Sequence, residues 1–578
     1  MTAWLVLLSI AVLLGLLVYG RWSPSVLFSV WAGGYYLLGM VSEKVFLGSF
    51  SNSALVTLVV LLMVSLALER SSLLDRLSEV VIKGGETAAV LRLSGITVLV
   101  SAFVNNTAVV AAFLGMVSRQ KRIPPSKLLI PLSYASILGG IVTLVGTSTN
   151  LVVNSFAINA GLPPLGMFQF AWVGLPVALL CIGAMALTSR WLPAHASGVR
   201  DVAQAYFLEA RLAPTSPLAG KSIEQNQLRN LDGLFLVEVL RGGRLISPVG
   251  PEEILQSEDV LIFSGETEKF HELKRFEGLE VFGLHADELL NSNLVEVVIS
   301  SQSELSNRTL KEVDFRTMFD AGVVAIRRGE RRLTGQLGRI ELRVGDSLLL
   351  AVGPDFAQHR NLDRNFHVFG AAPLRPRLSA RQSALVVGGF ATVISLSAME
   401  FVALLNGLLV LLALFLALGI LGFAELRRRF PFDLIATIGS ALVMAEVLDR
   451  SGAASIIADG MRAIFSGYGV MGGFIGVYLI TLVLTELLTN NAAAALAFPI
   501  AMSTAKAYGV DPMPFVMLVA YGASAGFLIP FGYQTHLMVY SPGRYRVKDF
   551  LYAGLPVSVT YSIATLLLVP VFFPFAAR

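Results

Sequence analysis

Apolar and polar positions divide the chain into three blocks. Residues 1–189 and 382–578 carry runs of roughly 15–21 largely apolar residues, among them Trp4–Gly20, Ala54–Leu68, Phe170–Leu187, Leu404–Ala424 and Leu551–Val571. Most are long enough to cross about 30 Å of hydrocarbon as helices. Between them, residues 190–381 switch to short alternating segments such as Leu234–Leu240 and Gly322–Ile326, the period of half-buried strands. The first apolar run lacks a basic n-region and a clear small-residue cleavage site, which predicts a transmembrane helix and not a cleaved leader.

Charge placement sharpens the division. Residues 1–189 hold 15 Asp, Glu, Lys and Arg, residues 190–381 hold 50, and residues 382–578 hold 19. Overall 15% of residues are charged, 55% are hydrophobic and mean hydropathy is +0.70, against about 25% charged in soluble domains. An integral membrane protein with a soluble insertion is expected. The composition excludes a disordered or collagen-like chain. A single cysteine, Cys181 inside apolar Val177–Gly183, excludes a disulfide scaffold. A net charge of +4 with no basic stripe argues against a nucleic-acid partner.

The two apolar blocks repeat each other. Leu68-Glu69-Arg70-Ser71 matches Leu448-Asp449-Arg450-Ser451, and the segment Ser101–Ala108 matches Thr485–Ala492. Ala135-Ser136 matches Ala523-Ser524, Gly146–Asn150 matches Gly532–His536, and Gly174–Val177 matches Gly554–Val557, in the same order at offsets of 380 to 388. Each block reads as three crossings, a polar-tipped hairpin (Ala88–Met116 or Gly472–Met502), a crossing broken in its middle, and a last crossing. An odd number of crossings puts the second block upside down. The expected fold is therefore a polytopic α-helical membrane protein of two inverted repeats with re-entrant hairpins and broken helices, an arrangement that points to a secondary transporter. Placing Arg119, Lys121, Arg122, Lys127, Arg427–Arg429, Arg544, Arg546 and Lys548 inside, with residues 190–381, is self-consistent and leaves both termini outside.

The soluble block is itself a tandem, expected over 205–283 and 284–370. Leu218–Ile223 matches Leu305–Leu310, and Ser257–Ile262 matches Val344–Leu349, both 87 residues apart.

Irregular backbone at membrane depth survives only where it lines protein or a wet cavity. Four breaks qualify here: the hairpin tips Asn105–Thr107 and Thr489–Asn491, and the turns Gly146–Asn150 and Gly532–His536. A helix starting after a break aims free N–H groups and its positive end at the site, which favours an anion. A helix ending there offers carbonyls to a cation. The side chains are Asn, Thr, Ser, Gln and Tyr, and no Lys or Arg falls in any break. An anion would be held by dipoles and hydroxyls, its charge offset by bound cations.

These breaks resemble those of the divalent anion/sodium symporter family, the relatives of dicarboxylate, citrate and sulfate carriers within the ion transporter superfamily. That family has Ser-Asn-Thr at each hairpin tip and a Gly-Thr-x-x-Asn-like turn at each break, and the resemblance covers both membrane blocks. It implies an elevator-type homodimer in the cell membrane. It further implies one sodium site at Ser101, Asn105, Asn106 and the Gly146 carbonyl, and another at Thr485, the Leu488 carbonyl, Asn490 and Gly532. Substrate would meet Asn105, Asn106, Thr107, Thr147, Ser148, Asn490, Asn491, Tyr533 and Gln534. Asn105 and Thr489 stand where the family has Ser, Asn491 where it has Thr, and Ser148-Thr149 and Gln534-Thr535 where carboxylate carriers show Pro-Pro. A hydroxyl- and amide-rich turn suits a small tetrahedral oxyanion, so sodium-coupled sulfate symport is expected. A dicarboxylate symporter and an efflux or antiport member of the superfamily are the alternatives. The tandem is similar to the C-terminal regulatory modules of potassium-uptake regulators (RCK-C), which implies a cytoplasmic dimerising or small-molecule-sensing accessory; no Gly-x-Gly-x-x-Gly accompanies it.

Other polar residues admit plainer roles. Glu486 and Glu446 lie in apolar helices, where an ionisable group is a functional candidate. Glu400 fits a short external turn, His536 a polar lining position, and Tyr533 and Gln534 could merely end a half-helix. The hairpin Asn and Thr could be helix-packing glue. A potassium channel would need a Thr-Val-Gly-Tyr-Gly-like filter, which is absent from the sequence. No nucleophile–base or metal-ligand spacing calls for an enzyme, and no cofactor beyond coupling sodium is expected.

Overall fold

A computed structural model describes residues 2–19, 22–71, 85–120, 122–195, 378–464 and 466–576, and most of 207–282 and 294–369. Lys121, residues 196–206 and residues 283–293 lie outside the described residues, and with them the expected junction between the two soluble modules.

The first membrane block begins with α1 (Thr2–Tyr19), α2 (Pro24–Leu37), α3 (Glu43–Phe50) and α4 (Ser53–Glu69). Asn52 starts α4 by accepting a hydrogen bond from the Ala54 N–H at 2.8 Å. A hairpin of α5 (Glu86–Ser101) and α6 (Asn106–Arg119) follows, then the broken pair α7 (Leu129–Gly140) and α8 (Ser148–Asn159), and α9 (Ala171–Thr188).

The soluble block forms two five-stranded antiparallel sheets. The first holds β1 (Phe207–Leu212), β2 (Leu234–Arg241), β3 (Arg244–Ile246), β4 (Val260–Gly265) and β5 (Leu279–Phe282) in the order β3-β2-β4-β1-β5. The second holds β6 (Leu294–Ile299), β7 (Ala321–Arg328), β8 (Arg331–Leu333), β9 (Ser347–Val352) and β10 (Phe366–Phe369) in the equivalent order β8-β7-β9-β6-β10, with short helices α10 (Phe315–Phe319) and α11 (Leu362–Asn365). The repeated Asp has a structural role in both. Buried Asp259 takes Arg241 at 2.8 Å, and buried Asp346 takes Arg328 at 2.7 Å. Each pair ties a turn to the end of a central strand.

The second membrane block comprises α12 (Ala380–Ala398), α13 (Leu404–Ala417), α14 (Phe423–Arg429), α15 (Phe432–Arg450) and α16 (Ala453–Ile464). The hairpin α17 (Gly469–Leu487) and α18 (Asn490–Tyr508), the broken pair α19 (Met513–Gly522) and α20 (Gln534–Tyr540), and α21 (Val547–Phe572) complete it. Among the described residues four helices are long and apolar enough to cross a membrane, Glu43–Glu69, Ala171–Trp191, Gly469–Leu487 and Val547–Phe572, or five if α14 and α15, bent 50° at Pro431, form one span. The apolar run Leu404–Ala424 is not one helix. It stops at Ala417, where Gly419 takes a left-handed φ of +66°.

Each last helix presses a glycine onto the break of its own block. A Cβ on Gly174 would lie 2.3 Å from the Ile141 carbonyl, and one on Gly554 would lie 2.2 Å from the Phe527 carbonyl. The irregular backbone is thus packed from behind and not left to lipid.

Candidate functional site

The two hairpins turn on the same pair of side chains. In the first, Ser101 Oγ lies 2.8 Å from both Asn106 Oδ1 and the Ser136 carbonyl. In the second, Thr485 Oγ1 lies 3.1 Å from Asn490 Oδ1 and 2.5 Å from the Ala523 carbonyl. A hydroxyl on the descending arm therefore orients the amide that opens the ascending arm and ties it to the broken helix. All four groups are buried.

The tips then meet the opposite block's break. Asn106 Nδ2 donates to the Tyr533 hydroxyl at 2.6 Å, and Thr107 Oγ1 donates to Gln534 Oε1 at 3.4 Å. Reciprocally, Asn491 Oδ1 accepts from Ser148 Oγ at 3.2 Å and from Thr149 Oγ1 at 3.4 Å. Four discontinuities separated by up to 427 residues in sequence come together at one place. There α6, α8, α18 and α20 all begin. Asn105 caps α6 through the Thr107 N–H at 2.9 Å, and Thr489 caps α18 through the Ala492 N–H. Thr147 and Tyr533, at the starts of α8 and α20, make no side-chain cap, so the first-turn N–H groups of those helices have no such acceptor.

Carbonyl oxygens crowd the two glycines. A Cβ on Gly146 would meet the Gly140 carbonyl at 2.6 Å and the Ala102 carbonyl at 3.0 Å. Around Gly532 stand the carbonyls of Glu486, Thr485 and Ile529 at 3.5–3.7 Å from such a Cβ. Asn150 Oδ1, Ser524 Oγ and Glu486 Oε2 are buried atoms with no hydrogen-bond partner. Leu488 is buried in an extended conformation between α17 and α18. Among the described residues no three His, Cys, Asp or Glu side chains gather into a metal site.

The breaks are braced differently. Asn150 Nδ2 donates to the Gly140 carbonyl at 3.2 Å and the Thr143 carbonyl at 2.8 Å, while His536 Nε2 lies 3.0 Å from the Gly526 carbonyl. A carbonyl only accepts, so Nε2 carries the proton, and Nδ1 lies 2.8 Å from Ser133 Oγ. His536 is fully buried, its two ring nitrogens held by Ser133 and the Gly526 carbonyl. Glu486 is a backbone brace: its Oε1 accepts from the Phe527 and Leu528 N–H groups at 3.0 Å each. Glu446 pairs with Arg450 one turn along α15, and Glu400 occupies a turn at φ +62°. Sequence reasoning missed Ser133, Ser136 and Tyr134, whose hydroxyl donates to the Phe527 carbonyl at 2.7 Å. Their signal was a run of polar residues on otherwise apolar, entirely buried α7.

Comparison with known proteins follows the same line. The family model described as "Citrate transporter" (CitMHS) matches residues 1–520. An "uncharacterized transporter" of Synechocystis sp. is 32% identical over 92% of this chain and 91% of its own. A "putative sulfur deprivation response regulator" of Chlamydomonas reinhardtii is 30% identical over 93% and 95%. "Sodium/sulfate cotransporter 1" of the same alga is 28% identical over 62% of this chain and 43% of its own. The chain is a transporter with several apolar helices, and it belongs to the citrate transporter (CitMHS) family of the ion transporter superfamily.

Proposed function

We propose that the protein is a sodium-coupled symporter of sulfate or a similar small divalent oxyanion. The observation that carries this reading is the meeting of four helix starts with neutral amide and hydroxyl groups, Asn106, Thr107, Ser148, Asn491, Tyr533 and Gln534, and no cationic side chain. Helix N-termini and hydroxyls favour an anion without the permanent charge that would trap it. The carbonyls around Gly146 and Gly532, with Ser101, Asn105, Asn106, Thr485, Leu488 and Asn490, offer hard oxygen ligands to two sodium ions. Unpartnered Asn150 Oδ1 and Ser524 Oγ support this.

The names of the algal sodium/sulfate cotransporters favour sulfate, whereas the family's description names citrate. The turns Ser148-Thr149 and Gln534-Thr535 lack the paired prolines of carboxylate carriers and tip the reading towards sulfate. Thr147 belongs to the substrate contacts as the residue opening α8. The two membrane blocks act as inverted repeats that form a scaffold and a moving unit in a homodimer, with the tandem on the cytoplasmic side of the cell membrane. Competition against radiolabelled sulfate uptake in proteoliposomes tests the substrate. Thiosulfate and selenate are expected to compete and succinate and citrate not to; the reverse order overturns it.

A further inference from the structure

The sheet of β6–β10 is joined to the end of α20. The turn between β7 and β8 meets the end of α20: the Gly329 N–H donates to Ser541 Oγ at 3.1 Å, and Glu330 pairs with Arg546. Ser541 Oγ in turn donates to the Gly345 carbonyl at 2.6 Å, so two turns of this module bracket one fully buried hydroxyl. Val298 of β6 is buried against the apolar core of the membrane blocks, not in the core of its own sheet. β10 of the same module lies against α6.

The first module supplies the control. Its equivalent of Gly329 is Gly242, which has no atom within 4 Å of where a Cβ would stand. Its equivalent of Gly345 is Glu258, which takes φ +69° in the same turn. The module fold therefore tolerates a long side chain at that position. At Gly345, φ +85°, a Cβ would come within 3.1–3.5 Å of Leu537 on α20, so glycine there fits the docked helix.

We infer that the module of β6–β10 is a positioning clamp for the substrate site, acting through Ser541 and α20. Helix α20 runs only from Gln534 to Tyr540, about 10 Å at 1.5 Å per residue, so its docked end lies close to the end that meets α6. Its first residue meets Thr107 and the preceding Tyr533 meets Asn106, both on α6. The module thus holds from behind the two elements that join across the site. The half-exposed Glu330–Arg546 pair adds little; the register comes from the buried Ser541 bonds and the Leu537 contact. The clamp rests on the reading that Tyr533 and Gln534 face substrate.

The test introduces Gly345→Glu, the residue the first module carries, and in parallel Ser541→Ala, each in full-length protein. Loss of a buried hydrogen bond of ordinary strength changes an equilibrium about fivefold. The KM of the transported anion is expected to rise by about that factor with the maximal rate changed less, and Leu537→Ala is expected to restore KM in the Gly345→Glu background. Gly242→Glu, at the free turn, is expected to leave KM unchanged. A second readout needs no substrate: in a Cys181→Ala background, the labelling rate of Gln534→Cys by a membrane-impermeant maleimide is expected to shift by about the same factor on adding Gly345→Glu. If the wild type carries no anion tried, the substrate reading fails and the labelling rate alone decides the clamp. Labelling and KM both unchanged by Gly345→Glu and Ser541→Ala overturn it.

Discussion

Behind the second hairpin, Glu486 reaches across to hold the peptide N–H groups of Phe527 and Leu528; at the matching place behind the first hairpin stands Ala102, which offers only its carbonyl to Thr143. The breaks explain the difference. Residues 141–147 close largely on their own turns, with Asn150 bridging the Gly140 and Thr143 carbonyls. Residues 523–533 form a longer break with neither helix nor turn over 525–527, leaving backbone donors without helical acceptors. An unmade hydrogen bond there costs several kcal/mol, and a carboxylate that accepts two N–H groups removes the cost. The comparison teaches that the hairpin pairs proposed to face ligand, Ser101–Asn106 and Thr485–Asn490, are built alike, while the supports behind them differ.

The largest expected effects fall on the shared part. Asn106→Ala and Asn490→Ala each remove an amide held by a hydroxyl and facing the site, and each is expected to lower sulfate uptake about 100-fold, the scale of losing one preorganised donor in a dry site. Uptake above half the wild-type rate in either purified, folded variant would separate the two hairpins and break the equivalence.

Next come the supports. Glu486→Ala is expected to destabilise the protein by about 1–3 kcal/mol, because the Phe527 and Leu528 N–H groups lose their acceptor, while Ala102→Ser is expected to change stability by less than about 0.5 kcal/mol. Thermal unfolding in detergent measures both, and equal shifts would show that Glu486 is no brace. His536→Asn places in the second break the residue used at the matching position of the first. Transport is expected to survive within about tenfold, since one amide can replace one imidazole hydrogen bond of roughly 1 kcal/mol; complete loss in a folded variant would give His536 a role beyond support.

The smallest effect concerns the tandem. Replacing residues 205–365 by a short Gly/Ser linker is expected to leave anion selectivity intact, with KM and maximal rate altered by less than about tenfold, within the usual range of coupling between sites. Changed selectivity in an inserted protein would make the tandem part of the site.

Much of the site could be read from the chain because polar clusters stand out in apolar runs: Asn105-Asn106 and Thr489-Asn490, and the polar turns opened by Gly146 and Gly532, are conspicuous for that reason. Their crosswise pairing could not be read, since Asn106 and Tyr533 are joined only by the packing of both blocks. Whether Glu486 is a functional or a capped carboxylate could not be read, because its partners lie about 40 residues downstream in a segment without side-chain signal. The stop at Ala417 was hidden by Leu404–Ala424 being apolar throughout; only the φ of Gly419 breaks it. The docked module did leave a trace, Gly345 where its sister has Glu258, legible once the two turns are superposed.

The most direct test of the central claim is sulfate uptake into proteoliposomes at fixed pH with an inward sodium gradient, against an equal choline gradient. The account predicts concentrative uptake with sodium and only background with choline, the sodium-driven uptake falling about 100-fold in Asn106→Ala and in Asn490→Ala. Equal uptake in the two cations would contradict sodium coupling at the paired hairpins.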